Sequence, residues 1–285
     1  MLDGSSSSGE YWPRTVRGES HRALYQVGHT DMGYAFNKQA YGIRLRALTR
    51  ALDAGSVQLA GRRVFEAGFG VGYYLEFWRR EGAAVTGVDI APTAVANVGR
   101  RFPTFDLRLG DVTEMDVWDD WESILRSFDL VTAIDILYHV VEDAKAARAL
   151  KLLASLLQPG GTLIFTEKFP ASGMPIREHS HVTRRPLNWY EEALGLGFRV
   201  ERVAPVFWCM DPALPGEAAS AGDRAARGAW VFMRACTKYF RSPSLVQEIL
   251  GGATGYIGAT IDRMAVGRMR SQGNMRIVSI RRTGN

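Results

Sequence analysis

The densest chemistry in this chain lies between Glu66 and Gly72. There Glu66-Ala67-Gly68-Phe69-Gly70-Val71-Gly72 follows a short apolar run and passes at once into Tyr74, Leu75 and Trp78 at helical spacing. A strand that turns sharply into a helix needs positive φ values at the bend, and a side chain at those positions would keep a ligand away from the backbone amides. Gly68, Gly70 and Gly72 therefore mark a nucleotide-type site at the carboxyl end of the first strand of an open α/β sheet. The competing fingerprint is the dinucleotide-binding Gly-x-Gly-x-x-Gly/Ala. Here the glycines alternate, and Tyr73 stands where the third glycine of that fingerprint would allow close helix–strand packing. Glu66, two places before the first glycine, cannot help bind a pyrophosphate but suits a positively charged ligand group, directly or through water.

A second set of polar residues falls at the ends of later apolar runs: Asp89 after Val85-Thr86-Gly87-Val88, Asp111 after Leu109-Gly110, and Asp135 after Phe128 to Ile134. His139 follows Asp135 by four places, and Glu178-His179-Ser180-His181 with Arg184-Arg185 gathers further polar groups downstream. Histidine suits general-base work because its ordinary pKa lies near neutrality, and it is equally able to hold a loop or border a ligand.

The elements that position these residues are legible after Gly61, where short apolar runs alternate with amphipathic stretches, the pattern of βαβ units and a parallel sheet. The pattern predicts strands at Arg63 to Ala67, Ala84 to Ile90, Asp106 to Leu109, Phe128 to Ile134, Thr162 to Phe169, Phe198 to Trp208 and Met275 to Arg282. Helices are expected between them. One runs from Asp143 to Leu157 and stops at the turn Gln158-Pro159-Gly160-Gly161, and another spans Leu187 to Leu194. Ahead of the core, apolar residues recur at helical spacing from Phe36 to Leu52, and Asn37, Tyr41 and Arg44 share one face of that helix. Residues 211–272 read as a helical cap inserted before the last strand, with helices near Arg224 to Phe240 and Ala253 to Met269, because sixty residues barely bury a core alone. Residues 1–20, with Ser5 to Ser8 and scattered Gly and Pro, read as a flexible tail. The resulting division is 1–20 tail, 21–60 amino-terminal helices, 61–210 core, 211–272 cap and 273–285 final strand.

Over residues 62–169 these motifs, in this order, resemble the class I methyltransferases that use S-adenosylmethionine. The resemblance implies an α/β fold: an open, doubly wound, mostly parallel seven-stranded sheet with an amino-terminal lid helix and a helical insertion before the last strand. It also implies roles. Glu66 and the Gly68-Gly70-Gly72 loop face the cofactor's amino-acid end, Asp89 accepts from the ribose hydroxyls, and Ile90 packs on adenine. Asp111 receives the adenine amino group with the Val112 amide beside it. Asp135 closes the fourth strand, placing His139 near the methyl group as first candidate base and His181 second. Arg44 would meet the cofactor carboxylate, capped by Tyr41. S-adenosylhomocysteine would be the product.

Absences narrow the acceptor. Asp135-Ile136-Leu137-Tyr138 stands where nucleic-acid amino methyltransferases carry Asp/Asn-Pro-Pro-aromatic, so no nucleic-acid partner is expected. No acidic cluster resembles a metal site, which points to metal-independent transfer. The insertion and lid helix resemble enzymes that methylate small natural products or lipids, and a hydroxyl oxygen is the acceptor chosen. Nitrogen and carbon acceptors, and a non-methylating reaction of the cyclase type, stay open because the cofactor site is shared. Two cysteines and the absence of a secretory leader pattern fit a cytoplasmic protein. No apolar run approaches the roughly 18 to 20 residues of a membrane span. Residues 220–285 hold eleven Lys/Arg against three Asp/Glu, which leaves room for weak contact with a membrane surface as well as for a merely solvated helix face. Oligomeric state is not legible.

Overall fold

The computed structural model describes residues 12, 23–213, 216, 220–238, 245–265 and 274–283. Apart from Trp12, the predicted amino-terminal tail lies outside them, as do Tyr239, Phe240 and the end of the second cap helix.

In chain order the elements are α1 (Leu24–Val27), α2 (Gly33–Ala54), β1 (Arg63–Ala67), α3 (Tyr73–Arg80), β2 (Ala84–Asp89), α4 (Pro92–Arg101), β3 (Asp106–Leu109), α5 (Trp121–Ile124), β4 (Phe128–Ala133), α6 (Asp143–Ser155), β5 (Leu157–Glu167), β6 (Ile176–His179), β7 (Val182–Arg184), α7 (Leu187–Leu194), β8 (Phe198–Pro205), α8 (Ala221–Thr237), α9 (Leu245–Ala265) and β9 (Arg276–Arg282). Seven strands form one sheet in the order β3-β2-β1-β4-β5-β9-β8. Neighbours from β3 through β5 pair in parallel, and only β9 runs antiparallel, between β5 and β8.

The central strands are apolar on both faces because helices cover both sides. Val64, Phe65, Leu130, Val131, Leu163 and Ile164 are fully buried. Two apolar clusters form the two layers: one joins α2, α3 and α4 to the sheet, and the other joins α6 and α7 to the opposite face. Chain order reverses beside β1, which pairs with β2 on one side and β4 on the other. This opens a crevice at the carboxyl ends of those strands.

The predicted strands are present, with shifts where local sequence misleads. Gln158-Pro159-Gly160-Gly161 serves as an irregular start to β5 as well as a turn: Leu157 already pairs with Phe128, and the register shifts before Leu130 pairs with Thr162. The polar stretch around His179 and His181 forms the two-stranded hairpin β6–β7. The strand expected to reach Trp208 stops at Pro205, where Val206 and the following residues turn toward α9.

Helices α8 and α9 connect β8 to β9, and α9 packs along α2 at unusually short range. A Cβ on Gly251 would lie 2.3 Å from the Met32 carbonyl oxygen, whereas one on Gly228 in α8 would meet nothing within 4 Å. These two glycines should therefore respond oppositely to alanine. Gly228→Ala should raise stability by about 0.5–1 kcal/mol through helix propensity. Gly251→Ala should lower it by about 1–3 kcal/mol, because backbone must move to admit the methyl group. Urea denaturation of both variants checks this; equal midpoints would mean that α9 does not pack on α2 at this distance.

Candidate active site

The carboxyl ends of β1, β2, β3 and β4 surround a cavity of about 240 Å³. Its floor is the glycine loop. Gly68 and Gly70 take left-handed φ values of 69° and 52°, and Gly72 (φ 75°) caps α3. At Gly68 the requirement is double, since a Cβ would fall 1.9 Å from the Ile136 side chain.

Asp89 secures this loop. Its carboxylate accepts the Gly70 amide at 2.7 Å and the Ala91 amide at 2.9 Å, joining the end of β2 to the turn after β1. Burial raises its pKa, and the backbone amides oppose that rise. Ile90, Asp111 and Val112 line the same cavity. Asp111 accepts the Thr113 amide at 2.8 Å, an Asx-type turn that orients its side chain at the end of β3. The wall toward α1 and α2 is made by Val27, Tyr41, Tyr73 and Tyr74, with the Tyr41 hydroxyl donating to the Val27 carbonyl at 3.1 Å.

The other end of the cavity is built on Asp135, one of three non-glycine residues at positive φ among those described (59°). Its amide donates to Thr166 Oγ1, and that hydroxyl donates back to its carboxylate, both at 2.8 Å. Backbone strain held by a reciprocal pair of this kind commonly marks a functional turn. The turn delivers His139 into the cavity wall on a short 3-10 segment, Leu137–His139.

His139 is held by the hairpin. Its Nδ1 lies 3.0 Å from the His181 carbonyl oxygen, which can only accept, so Nδ1 carries the proton and Nε2 is the basic nitrogen. Thr183 Oγ1 donates to the Val141 carbonyl at 3.0 Å, and the fully buried Arg185 donates to the carbonyls of Val140 and Val141. Burial pushes the His139 pKa down to about 3, with Arg184 and His181 adding to the shift and the His181 carbonyl opposing it. The ring is therefore neutral throughout the physiological range. His181 contributes its carbonyl, while its ring stacks at 5.7 Å from that of His139.

Four of the predicted site residues, Arg44, Glu66, Gly72 and His181, do not line the cavity. Arg44 does not line it: the side chain is buried, its Nε lies 2.6 Å from Asp135 Oδ2, and its guanidinium stacks near Tyr41 and Phe207. Burial opposes the charge, but Asp135 and the neighbouring tyrosines outweigh it and hold Arg44 above its ordinary value. Glu66 likewise lies outside the lining and accepts from the Trp78 indole N–H. Burial pushes its pKa up to about 8, so it does not present a fixed negative charge to a ligand at neutral pH. Both residues sit one layer behind the wall, a depth that linear spacing does not reveal. Gly72 also stands back, packed against Val98 and Phe102.

Several lining residues carried no sequence signal. Trp12 meets the His139 ring edge-on at 4.7 Å, and Thr113 and Lys145 reach the rim from separate segments. Beyond His139 the polar groups are buried and paired: Lys168 with Asp211, and Arg184 with Glu167 and Glu178 while lying 3.9 Å above the Tyr138 ring. The paired ends of β5, Thr166-Glu167-Lys168, were the available sequence clue, since three polar residues close an otherwise apolar run. Among the described residues no group of three His, Cys, Asp or Glu side chains is placed to hold a metal ion.

The residues fit S-adenosylmethionine: a left-handed glycine loop free of side chains, a carboxylate at the end of β2, a second at the end of β3, and an apolar residue beside each. Comparison with known proteins agrees. Residues 65–165 match a family model described as a methyltransferase domain. The chain is 38% identical over 113 residues to a ubiquinone biosynthesis O-methyltransferase of Xanthomonas campestris pv. campestris (strain B100), covering 40% of this chain and 46% of that protein. It is 32% identical over 112 residues to the protein of that name from Pseudomonas entomophila (strain L48), covering 39% and 46%. The chain thus spans a little under half the length of the curated relatives it matches. In fold it is similar to the [4+2]-cyclase SpnF (TM-score 0.55, 17% identity, 99% of each chain covered). It is also similar to the N-methyltransferase NodS of Bradyrhizobium japonicum WM9 (TM-score 0.52, 11% identity, 97% and 99% covered). Residues 65–165 thus carry a methyltransferase domain, set in a seven-stranded sheet with the Rossmann-like fold of S-adenosylmethionine-dependent methyltransferases.

Proposed function

We propose that this protein transfers a methyl group from S-adenosylmethionine to a hydroxyl oxygen of a small lipid-like or natural-product acceptor, without a metal ion. The observation that carries the reading is that one cavity joins the glycine loop, Asp89 and Asp111 at one end to His139 at the other. The printed names of the curated relatives, which are O-methyltransferases, support oxygen as the acceptor atom.

When bound, the cofactor supplies a methyl group activated on a sulfonium. The chain's own residues do the rest. Asp89 retains lone pairs beyond those used by Gly70 and Ala91 and would take the ribose hydroxyls; Ile90 would pack on adenine, with Asp111 and the Val112 amide at its edge. Tyr41 and Tyr74 exclude water from the amino-acid end. His139 would take the acceptor proton at Nε2, with the His181 carbonyl fixing the tautomer. A partly buried imidazole of low basicity is a weak ground-state base. It is adequate when a neutral hydroxyl attacks, because the oxygen becomes strongly acidic only as the methyl arrives. The low basicity also supports a second reading, in which the site aligns reactants without proton abstraction, as in a cyclase-type reaction. S-adenosylhomocysteine formed in proportion to product separates the two: stoichiometric release supports transfer, and turnover without it supports the second.

Asp89→Ala should weaken S-adenosylhomocysteine binding by about 1.5–3 kcal/mol, the value of a charge-assisted hydrogen bond, while NAD binds neither protein. Calorimetry reads this, and an unchanged affinity in a folded variant removes Asp89 from the site.

His139→Ala should leave cofactor affinity nearly intact and lower kcat by roughly a hundredfold. His181→Ala keeps the carbonyl that His139 uses and should cost far less. If instead His181→Ala abolishes turnover and His139→Ala spares it, the base belongs to the hairpin. With its pKa near 3, His139 stays unprotonated from pH 6 to 8, so the kcat profile should be flat through pH 6.5. A limb at pH 6.5 that disappears in His139→Ala would refute the neutral imidazole.

A further inference from the structure

A second cavity, of about 530 Å³, shares no lining residue with the cofactor cavity. It lies between the end of α2 and the half of the sheet formed by β5, β9 and β8. The strands contribute Thr162, Ser279, Arg281, Arg199 and Arg202, and the turn Gly55-Ser56-Val57 after α2 forms the opposite wall. Strand register brings the polar groups together. Arg281 pairs with Thr162 on one side and with Arg199 on the other, and Ser279 pairs with Arg202. Cross-strand partners project from the same face of a sheet, so residues far apart in sequence share this one.

The donors in this cavity outnumber their partners. Ser279 is 5% exposed, and its Oγ has no hydrogen-bond partner among the described residues. Ile277, two residues earlier on the same face of β9, is buried and apolar, so packing alone does not call for a hydroxyl at Ser279. A buried hydroxyl left unpaired costs free energy, which marks it as a group that answers something outside the chain. The charges are unbalanced as well. Glu201 is the one acid among the described lining residues, against three arginines. Arg281 answers it at 2.6 Å and also donates to the carbonyls of Gly160 and Gly55, the second of which lies at the negative end of α2. Arg199 reaches Glu201 only at 3.7 Å, with its side chain 72% exposed. Arg202, beside Ser279, has no hydrogen-bond or ion-pair partner among the described residues.

We propose that this cavity is a second ligand site, which binds a small phosphate monoester through Arg202, Arg199 and the Ser279 hydroxyl. Guanidinium groups recognise oxyanions through paired N–H donors, and a phosphate presents three terminal oxygens to the two guanidinium groups and the hydroxyl. The volume falls within the range of roughly 300–1,000 Å³ typical of small-molecule sites and exceeds what a phosphate alone would fill. The remainder is bordered by Ala51, Ala54 and Val57, which suit the carbon part of an ester. The proposal goes beyond the methylation reading and is tested by binding alone, so either can fail while the other stands.

Calorimetric titration of the full chain, with S-adenosylhomocysteine saturating so that the cofactor cavity is closed to the probe, should show glycerol 3-phosphate binding with a dissociation constant of about 1 mM or below. Inorganic phosphate should bind more weakly, and acetate at equal ionic strength should bind at least about tenfold more weakly. Arg202→Gln, at an exposed position, should weaken glycerol 3-phosphate binding at least about tenfold. Ser279→Ala should weaken it about fivefold while its thermal transition stays level or rises, because the substitution removes an unpaired buried hydroxyl. A serine that served only the fold would move the transition and leave the affinity alone. Arg79→Gln, on α3 outside the cavity, should bind as the wild type does. Should Arg202→Gln fail to fold, Arg199→Gln gives the same readout. Absence of glycerol 3-phosphate binding at about 20 mM, or equal binding by the folded Arg202 and Ser279 variants, overturns the proposal. Binding of inorganic phosphate without the ester, or acetate binding as tightly as the ester, overturns the ligand class and with it the proposal.

Discussion

The bond from the Gly70 amide to the Asp89 carboxylate is the constraint on which the site depends. Parallel strands β1 and β2 end side by side, and without a tie the turn after β1 would be free to collapse into the crevice that reversal of strand order opens. Asp89 spans that gap with one oxygen on the loop and the other on the amide that begins α4. A buried carboxylate between two backbone donors is satisfied without a cation, so it can hold the loop open and still accept from a ligand. The left-handed φ values of Gly68 and Gly70 follow from the same need: the chain must turn away from the strand while its amides reach the Val88 carbonyl and the Asp89 carboxylate.

The acceptor end uses a different economy. Arg44 with Asp135, Lys168 with Asp211, and Arg184 with Glu167 are all buried or nearly so. Such pairs contribute little net stability, because desolvation offsets attraction, but breaking one leaves a buried charge uncompensated. Their effect here is to fix geometry. Asp135 is held from both sides, by Arg44 and by Thr166, and the strained turn it occupies sets where His139 emerges. The His181 carbonyl then orients the imidazole, while Thr183 and Arg185 hold the carbonyls of Val140 and Val141 just beyond it.

The same division of labour explains the cap. α9 spends its small residues on close contact with α2 and thereby fastens α2, which carries Tyr41 into the cavity wall and Arg44 to Asp135. Its large residues are left outside. Inward glycines and outward leucine, isoleucine and tyrosine give the helix a hydrophobic pattern that period alone reads as core-facing; only the packing against α2 reveals which face is covered.

By itself the sequence determined the α/β class, the positions of β1 to β4 and the loop that would bind a ligand. The physical reason is local: a buried parallel strand must be an apolar run of limited length, a sharp strand-to-helix turn must be glycine, and an acid at a strand end is visible where it stands. Asp89, Ile90, Asp111, Val112, Asp135 and His139 all reach the cavity that this pattern predicts. The tertiary structure alone decided what depends on depth and on distant partners. Glu66 is held by Trp78 and Arg44 by Asp135 behind the cavity wall, because a buried polar group takes the nearest partner in space whatever its spacing along the chain. The hairpin that holds His139 draws its grip from residues some forty positions downstream, and the direction α9 faces follows from α2, more than two hundred positions away. Those contacts are set by packing, which linear order does not encode.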